Sequence, residues 1–362
     1  MLCFMHQCTR DTRHGADVDV APDASRIVAA QATPCVLVEG HAVGQNEPPE
    51  ALPLALSLSL MTALASDAGS DHNPLLVFEH HRPRLYAIAY RMLGAVAEAE
   101  DVVQEAWLRW NGTERATIET PEAWLVTITT RLSIDRLRAA KAEREHYTGV
   151  WLPEPMLMSA PATPEQAHEL ADDVSVAFLY MLERLSPDAR AAFLMRDVFD
   201  ADYEDIAQTL GKTPAAVRQL VRRARQQLRD GTPREAVPRA TLHRLLLAFS
   251  DAMQRSDFHG LHALLSDDAE LVGDGGGKVN AFRSLVGGKR LAQLFYAGTL
   301  RFRDSMRTDV VQINGQWALL RFIDGELESA QSFETDGERL TRILVQRNPD
   351  KLERIAAAIG KR

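Results

Sequence analysis

The chain has 362 residues, 46% hydrophobic and 25% charged, with a formal net charge of −9. That length implies two or three globular units rather than one, and the composition excludes a low-complexity chain. The acidic balance excludes a uniformly basic nucleic-acid coat but not a local basic face, because net charge bounds solubility rather than individual contacts.

The three cysteines are Cys3, Cys8 and Cys35. Nothing after them can form a disulfide framework, so the folded part is predicted to be cytoplasmic. Cys3, His6 and Cys8 lack a second ligand pair at zinc-site spacing, so no metal and no cofactor is expected. Residues 1–70 contain no lysine and little periodicity, and are predicted to be a disordered extension. Its apolar run Ala51–Ala65 is too short to span a bilayer and lies far from the N-terminus, so no membrane association is expected. Met61 within that run is the expected true start.

From residue 71 to 146 apolar residues recur at three and four: Leu85, Ile88, Ala89 and Met92, then Val102, Val103, Ala106, Trp107 and Trp110. This predicts an all-helical unit. Thr120-Pro121-Glu122 opens a longer helix that buries Leu125, Ile128 and Leu132. Residues 147–165 are Pro-rich and predicted to be a linker; Trp151 within it is too apolar for a mere spacer and is expected to dock. Helices resume over residues 166–230, with starts at Ser186-Pro187, Asp202 and Thr213-Pro214. Residues 236–347 combine a helix over Leu242–Met253 with strand-like runs at Val310–Ile313 and Trp317–Phe322, an α+β unit. Residues 348–362 form a tail that starts with a helix signal at Asn348-Pro349.

The strongest local pattern is Asp202–Arg229, two helices joined by a tight turn at Gly211-Lys212. The second packs through Val217, Leu220, Val221, Ala224 and Leu228, while Arg218, Arg222, Arg225 and Arg229 line its other side, flanked by Gln219 and Arg223. This is a helix-turn-helix with a basic reading helix capped by Thr213. Arg suits guanine and phosphate, and Gln suits adenine.

A helix-turn-helix alone says only that DNA is bound. Glu100-Asp101-Val102-Val103-Gln104-Glu105-Ala106-Trp107-Leu108 closely resembles the region-two helix of extracytoplasmic-function sigma factors, and Arg131-Leu132-Ser133-Ile134-Asp135-Arg136-Leu137-Arg138 resembles the helix that faces their minus-ten element. The resemblance spans about residues 73–230. It implies that Asp101, Gln104, Glu105 and Leu108 bind core RNA polymerase. It assigns Arg131, Asp135, Arg136, Arg138 and Lys141 to minus-ten DNA, and Thr213, Arg218, Gln219, Arg222, Arg223 and Arg225 to minus-thirty-five DNA. Trp107, Trp110 and Trp124 are either core residues or part of the neighbourhood that captures an unstacked promoter base.

The remainder resembles the SnoaL-like cone carried by one sigma subfamily, through Trp151-Leu152-Pro153-Glu154-Pro155, Asp274-Gly275-Gly276-Gly277-Lys278 and Asn348-Pro349-Asp350-Lys351-Leu352. That resemblance implies regulation of the sigma core in cis, with Trp151, Pro153, Asp274, Gly275, Gly276, Gly277, Lys278, Asn348 and Asp350 between domains. The glycine triplet lacks nucleotide-loop spacing and is expected to be a tight turn that docks on the linker or region two. His259, His262, Asp267, Asp268 and Asp274 form no recognisable catalytic set, so no enzyme is expected. The expected architecture is thus two all-α sigma domains and an α+β cone, acting on core polymerase and promoter DNA. A small-molecule ligand of the cone is left open. The alternative is a one-component transcription regulator whose C-terminal domain senses a metabolite.

Overall fold

A computed structural model describes residues 73–114, 118–145, 147–157, 174–229 and 237–360, with the side chains of 141–145 left aside. The expectations for residues 1–70, for Met61 and for the Lys141 side chain lie outside the described residues.

The first helical unit contains α1 (Pro74–Leu93), α2 (Val96–Gly112) and α3 (Pro121–Glu145). Asn73 caps α1 by accepting from the Leu75 N–H at 3.0 Å, and Gly94 ends it at φ 68°, a left-handed conformation that favours glycine. The apolar stripes read in the sequence meet here: Leu85, Ile88, Ala89, Val102, Val103, Ala106 and Leu125 are all buried. Trp110 is a core residue, 2% exposed, and its indole N–H donates to the Pro74 carbonyl at 2.8 Å. Trp107 and Trp124 are partly buried against the same core, their rings tilted against Phe78 and Trp110 respectively.

The second helical unit contains α4 (Val176–Leu182), α5 (Pro187–Phe193), α6 (Tyr203–Leu210) and α7 (Pro214–Arg229). α5 runs on into a π-helical turn over Leu194–Val198, a widened geometry that no periodicity announces. Asp202 stands at the N-cap of α6 as expected, but its side chain makes no capping bond and lies 3.8 Å from Arg196 instead. Gly211 closes α6 at φ 61°, and the Thr213 hydroxyl accepts from the Ala216 N–H at 3.3 Å to start α7.

The C-terminal unit is α+β, with α8 (Arg239–Gln254), α9 (Phe258–Leu264), β1 (Leu265–Asp274), β2 (Leu285–Val286), α10 (Gly288–Arg301), β3 (Met306–Ile313), β4 (Gln316–Ile323), β5 (Glu326–Thr335), β6 (Leu340–Gln346) and α11 (Pro349–Ile359). The sheet order is β2-β1-β6-β5-β4-β3, with β1 and β6 parallel and the other neighbours antiparallel. Alternate strand residues point to opposite faces, and both faces are covered. Leu271, Leu319, Ile343 and Val345 pack under α8, α9 and α10. Val272, Leu320, Phe322 and Leu344 pack against Leu152 of the linker, Val176 of α4, and Leu352 and Ile355 of α11. The tail is therefore an amphipathic helix bound to the outer face of the sheet.

Candidate DNA and polymerase surfaces and the linker clamp

On α7 the apolar stripe Val217, Val221, Ala224 and Leu228 is buried, which turns Arg218, Gln219, Arg222 and Arg223 to solvent. Arg218 lies over the Tyr203 ring at 5.6 Å, a contact that orients the guanidinium. Arg225 is engaged within the protein: its Nε and Nη2 donate to Asp197 at 2.9 and 2.5 Å, and that bond raises its pKa. Thr213 is exposed at the helix start.

The basic residues of α3 are placed differently. Arg131 donates to the carbonyls of Thr209 and Gln208 at 2.8 and 2.9 Å, satisfying the carbonyl end of α6, where cations are favoured. Thr127 and Thr209 share a 3.0 Å hydroxyl contact. Arg138 bonds Asp188 at 2.8 Å and lies 3.4 Å from Asp135, while Lys212 reaches the same Asp188 at 2.9 Å. Burial pushes the Asp188 carboxyl up, but Lys212 and Arg138 outweigh it and hold the group below its ordinary range. Arg136 sits 3.8 Å from Asp101. The first helix of the helix-turn-helix thus lies against the basic side of α3. Behind it the buried Arg190 donates to the Met92 carbonyl at 2.6 Å and pairs with Glu183.

On α2, Asp101, Gln104 and Leu108 are exposed, Leu108 at 62%, and Glu105 is half-buried and paired with Arg109 at 2.7 Å. An exposed leucine beside carboxylates is the mixture that a protein partner covers. Glu100, the first residue of that motif, is held by Arg354 of α11 at 2.9 Å.

The linker is strapped down from both sides. Toward α1 and α2, the Glu154 N–H donates to the Gly94 carbonyl at 2.8 Å and its carboxylate accepts from the Val96 N–H at 2.8 Å. Tyr90 donates to the Glu154 carbonyl at 2.6 Å. Trp151 packs over Gly94 so closely that a Cβ there would meet its ring at 2.7 Å. Toward the cone, fully buried Asp274 accepts from the Leu152 N–H at 2.9 Å, from the Tyr147 hydroxyl at 2.6 Å and from Lys351 at 2.8 Å. Lys351 also lies over the Trp151 ring at 4.1 Å. Burial, then the Asp274 bond, push the Tyr147 phenol up. Burial likewise raises Glu154 against the pull of the Val96 N–H, Arg354 and Lys351.

The glycine triplet is the tight turn expected. Gly276 and Gly277 have φ 62° and 72°; a side chain at Gly276 would collide with Asn348, and one at Gly277 would crowd Thr148 of the linker. Lys278 pairs with Asp350 at 2.7 Å. Pro153 is buried between the two domains.

Several residues of this clamp carry no sequence signal. Asn314-Gly315 reads as a hairpin turn, and Asn314 does adopt φ 52° there. Yet its side chain is buried, donating to the Tyr90 hydroxyl at 2.7 Å and to the Val174 carbonyl at 3.0 Å and accepting from the Met156 N–H at 2.8 Å. One residue therefore ties both helical units and the linker to the cone. Gln346 and Arg354 add to it from β6 and α11. Their partners lie up to 254 positions away, beyond any local pattern.

Comparison with known proteins agrees with these elements. Residues 77–143 match the model of Sigma-70 region 2, and residues 175–228 that of Sigma-70, region 4. The chain is 35% identical over 294 residues to the ECF RNA polymerase sigma factor SigJ of Mycobacterium tuberculosis, covering 76% of this chain and 91% of the relative. It is 29% identical to the probable ECF RNA polymerase sigma factor SigI of the same organism, covering 80% and 99%. The crystal structure of M. tuberculosis extracytoplasmic function sigma factor SigJ superposes with a TM-score of 0.62 at 31% identity, over 76% of this chain and 97% of that one. The one-component regulator reading finds no support among these relatives. The chain belongs to the extracytoplasmic-function RNA polymerase sigma factors, which bind core polymerase and promoter DNA to start transcription and act by binding rather than catalysis.

Proposed function

We propose that the C-terminal domain regulates this sigma factor in cis, in the cytoplasm, by restraining the separation of regions two and four through the linker clamp. The observation that carries this reading is Asn314, which bonds Tyr90 of region two, Val174 beside region four and Met156 of the linker at once. A joint made of buried hydrogen bonds resists opening, because each bond broken without replacement leaves a desolvated polar group. The geometry favours restraint over activation, since Arg131 and Arg138 of α3 are bonded to region four while the clamp is closed.

In the same reading, Asp101, Gln104, Glu105 and Leu108 present to core polymerase. Arg131, Asp135, Arg136, Arg138 and Lys141 serve the minus-ten element once region four has released Arg131 and Arg138. Thr213, Arg218, Gln219, Arg222 and Arg223 serve the minus-thirty-five element, and Arg225 contributes after release from Asp197.

Cutting the chain after residue 235 would uncover the apolar surface shared by Leu152, Val176 and the sheet, so a point substitution is the cleaner test. Asn314→Ala should raise run-off transcription by core polymerase from a cognate promoter and speed hydrogen exchange across α3. Transcription and exchange indistinguishable from wild type would refute regulation through this clamp.

A further inference from the structure

We infer that the cone carries an effector site for a small amphipathic carboxylate, in a cavity whose floor strands hold the linker on their other face. The cavity encloses about 730 Å³, within the range of sites that bury small ligands. It lies between the end of α10, the segment before β2 and the inner face of the sheet. Leu271, Phe282, Leu294, Phe295, Phe302 and Ile323 make its walls mostly apolar.

Its polar groups converge on one side. Arg321 donates to Glu328 at 2.5 and 2.8 Å, and Arg347 reaches the other oxygen of the same carboxylate at 2.5 Å. Burial disfavours the charged Glu328, but the two arginines prevail and keep it ionised. Two guanidiniums therefore share one partly buried carboxylate, which leaves an excess positive charge in a partly shielded wall. Arg301 and Glu326 at the rim are both exposed, so solvent screens the two opposite charges alike. Gln331, 0% exposed, lines the cavity and donates to Ser329, and its Oε1 has no hydrogen-bond partner among the described residues. Buried polar atoms are normally satisfied. An apolar body with one carboxylate fits this site: the guanidiniums take the anion in their forked geometry, and the walls take the body.

The site is one residue from the clamp on two strands. Gly273 and Arg347 line the cavity. Their neighbours Asp274, Gln346 and Asn348 hold Leu152, Pro153 and Tyr147. Occupancy that shifts Arg347, which follows β6, is thereby delivered to the linker through its chain neighbours Gln346 and Asn348, a coupling between two distinct sites.

Titration calorimetry of the full chain without polymerase tests the site, using decanoate and 2-naphthoate as probes and decylammonium as the cationic control. Saturable one-to-one binding of at least one carboxylate is expected, about ten-fold or more tighter than decylammonium. Arg347→Met should weaken it about ten-fold and Gly298→Phe, which fills the cavity, should abolish it. Glu328→Gln should tighten it several-fold, an outcome that general structural damage would not give. If Arg347→Met fails to fold, Gly298→Phe and Glu328→Gln decide. Absence of binding by both carboxylates, equal binding of decylammonium, or unchanged affinity in these variants would overturn the site. With carboxylate bound, hydrogen exchange over residues 147–157 should change, and an unchanged pattern would overturn the coupling. Because polymerase is absent, failure here is separate from failure of regulation through Asn314.

Discussion

The two helices that carry the basic surfaces of this protein, α3 and α7, are chemically alike and structurally opposite. Each buries an apolar stripe and sets arginines on the other side. On α7, Arg218, Gln219, Arg222 and Arg223 face solvent. On α3, Arg131 and Arg138 are spent on Gln208, Thr209 and Asp188 of region four. The two helices thus differ in pairing rather than in exposure: α3, the proposed downstream reader, is bonded across to region four through arginines that remain exposed, whereas α7, the proposed upstream reader, pairs Arg225 with Asp197 of its own region. In the proposed reading, α3 reaches DNA only when region four releases Arg131 and Arg138, the movement that we propose the cone restrains.

The largest expected effect concerns the buried charge that holds the linker. Asp274→Ala leaves Lys351 facing an apolar surface without its carboxylate, and loss of one partner of a buried pair costs about 3 kcal/mol or more. Chemical denaturation should show that loss, and hydrogen exchange should show α3 gaining accessibility while α7 is unchanged. Equal gains in both helices would break the contrast between them.

A second test addresses the presented helix. Arg222→Ala should weaken binding of the polymerase holoenzyme to promoter DNA, by about 1–3 kcal/mol if it reads a base. If it meets only phosphate, the salt dependence should flatten by about one slope unit. Arg225→Ala should have less effect on DNA and more on region four, since it breaks the Asp197 pair. The reverse ranking would show that the Asp197 contact does not persist in the complex.

The smallest effect belongs to the ion pairs between α3 and region four. Asp188→Asn should cost only about 1 kcal/mol, because the pairs are partly exposed. The Asp188 pKa is depressed, so its contribution is present at neutral pH and is lost as pH falls through the folded value, below about 4. The stability gap between wild type and Asp188→Asn should be constant from about pH 7 to 5 and close below about pH 4. A gap that persists at low pH would assign the effect to packing instead.

Much of this was legible in the chain. Apolar spacing, Gly211 and Thr213-Pro214 specified the helix-turn-helix, because a local period and local caps suffice for a helix pair. The Asp274–Lys278 turn was readable because consecutive glycines mark a backbone that tolerates no side chain. The bonding of α3 to region four was not, because Arg131 has the same local context whether it faces DNA or a helix end. Nor was the part played by Asn314 or Glu154, since their partners come together only when the linker is threaded between folded domains. Trp110 read equally as core or as base-capture residue until its indole found the Pro74 carbonyl.

The closed arrangement is tested most directly by a distance between the two readers. Spin labels at Ala139→Cys on α3 and Ala215→Cys on α7, both exposed positions, with Cys3, Cys8 and Cys35 replaced by serine, would report it by electron–electron resonance. A single short distance is expected in the free full chain, lengthening when core polymerase is added and broadening toward longer values in Asn314→Ala. The same distance in all three states, or a long one in the free protein, would contradict a cone that holds the sigma regions closed.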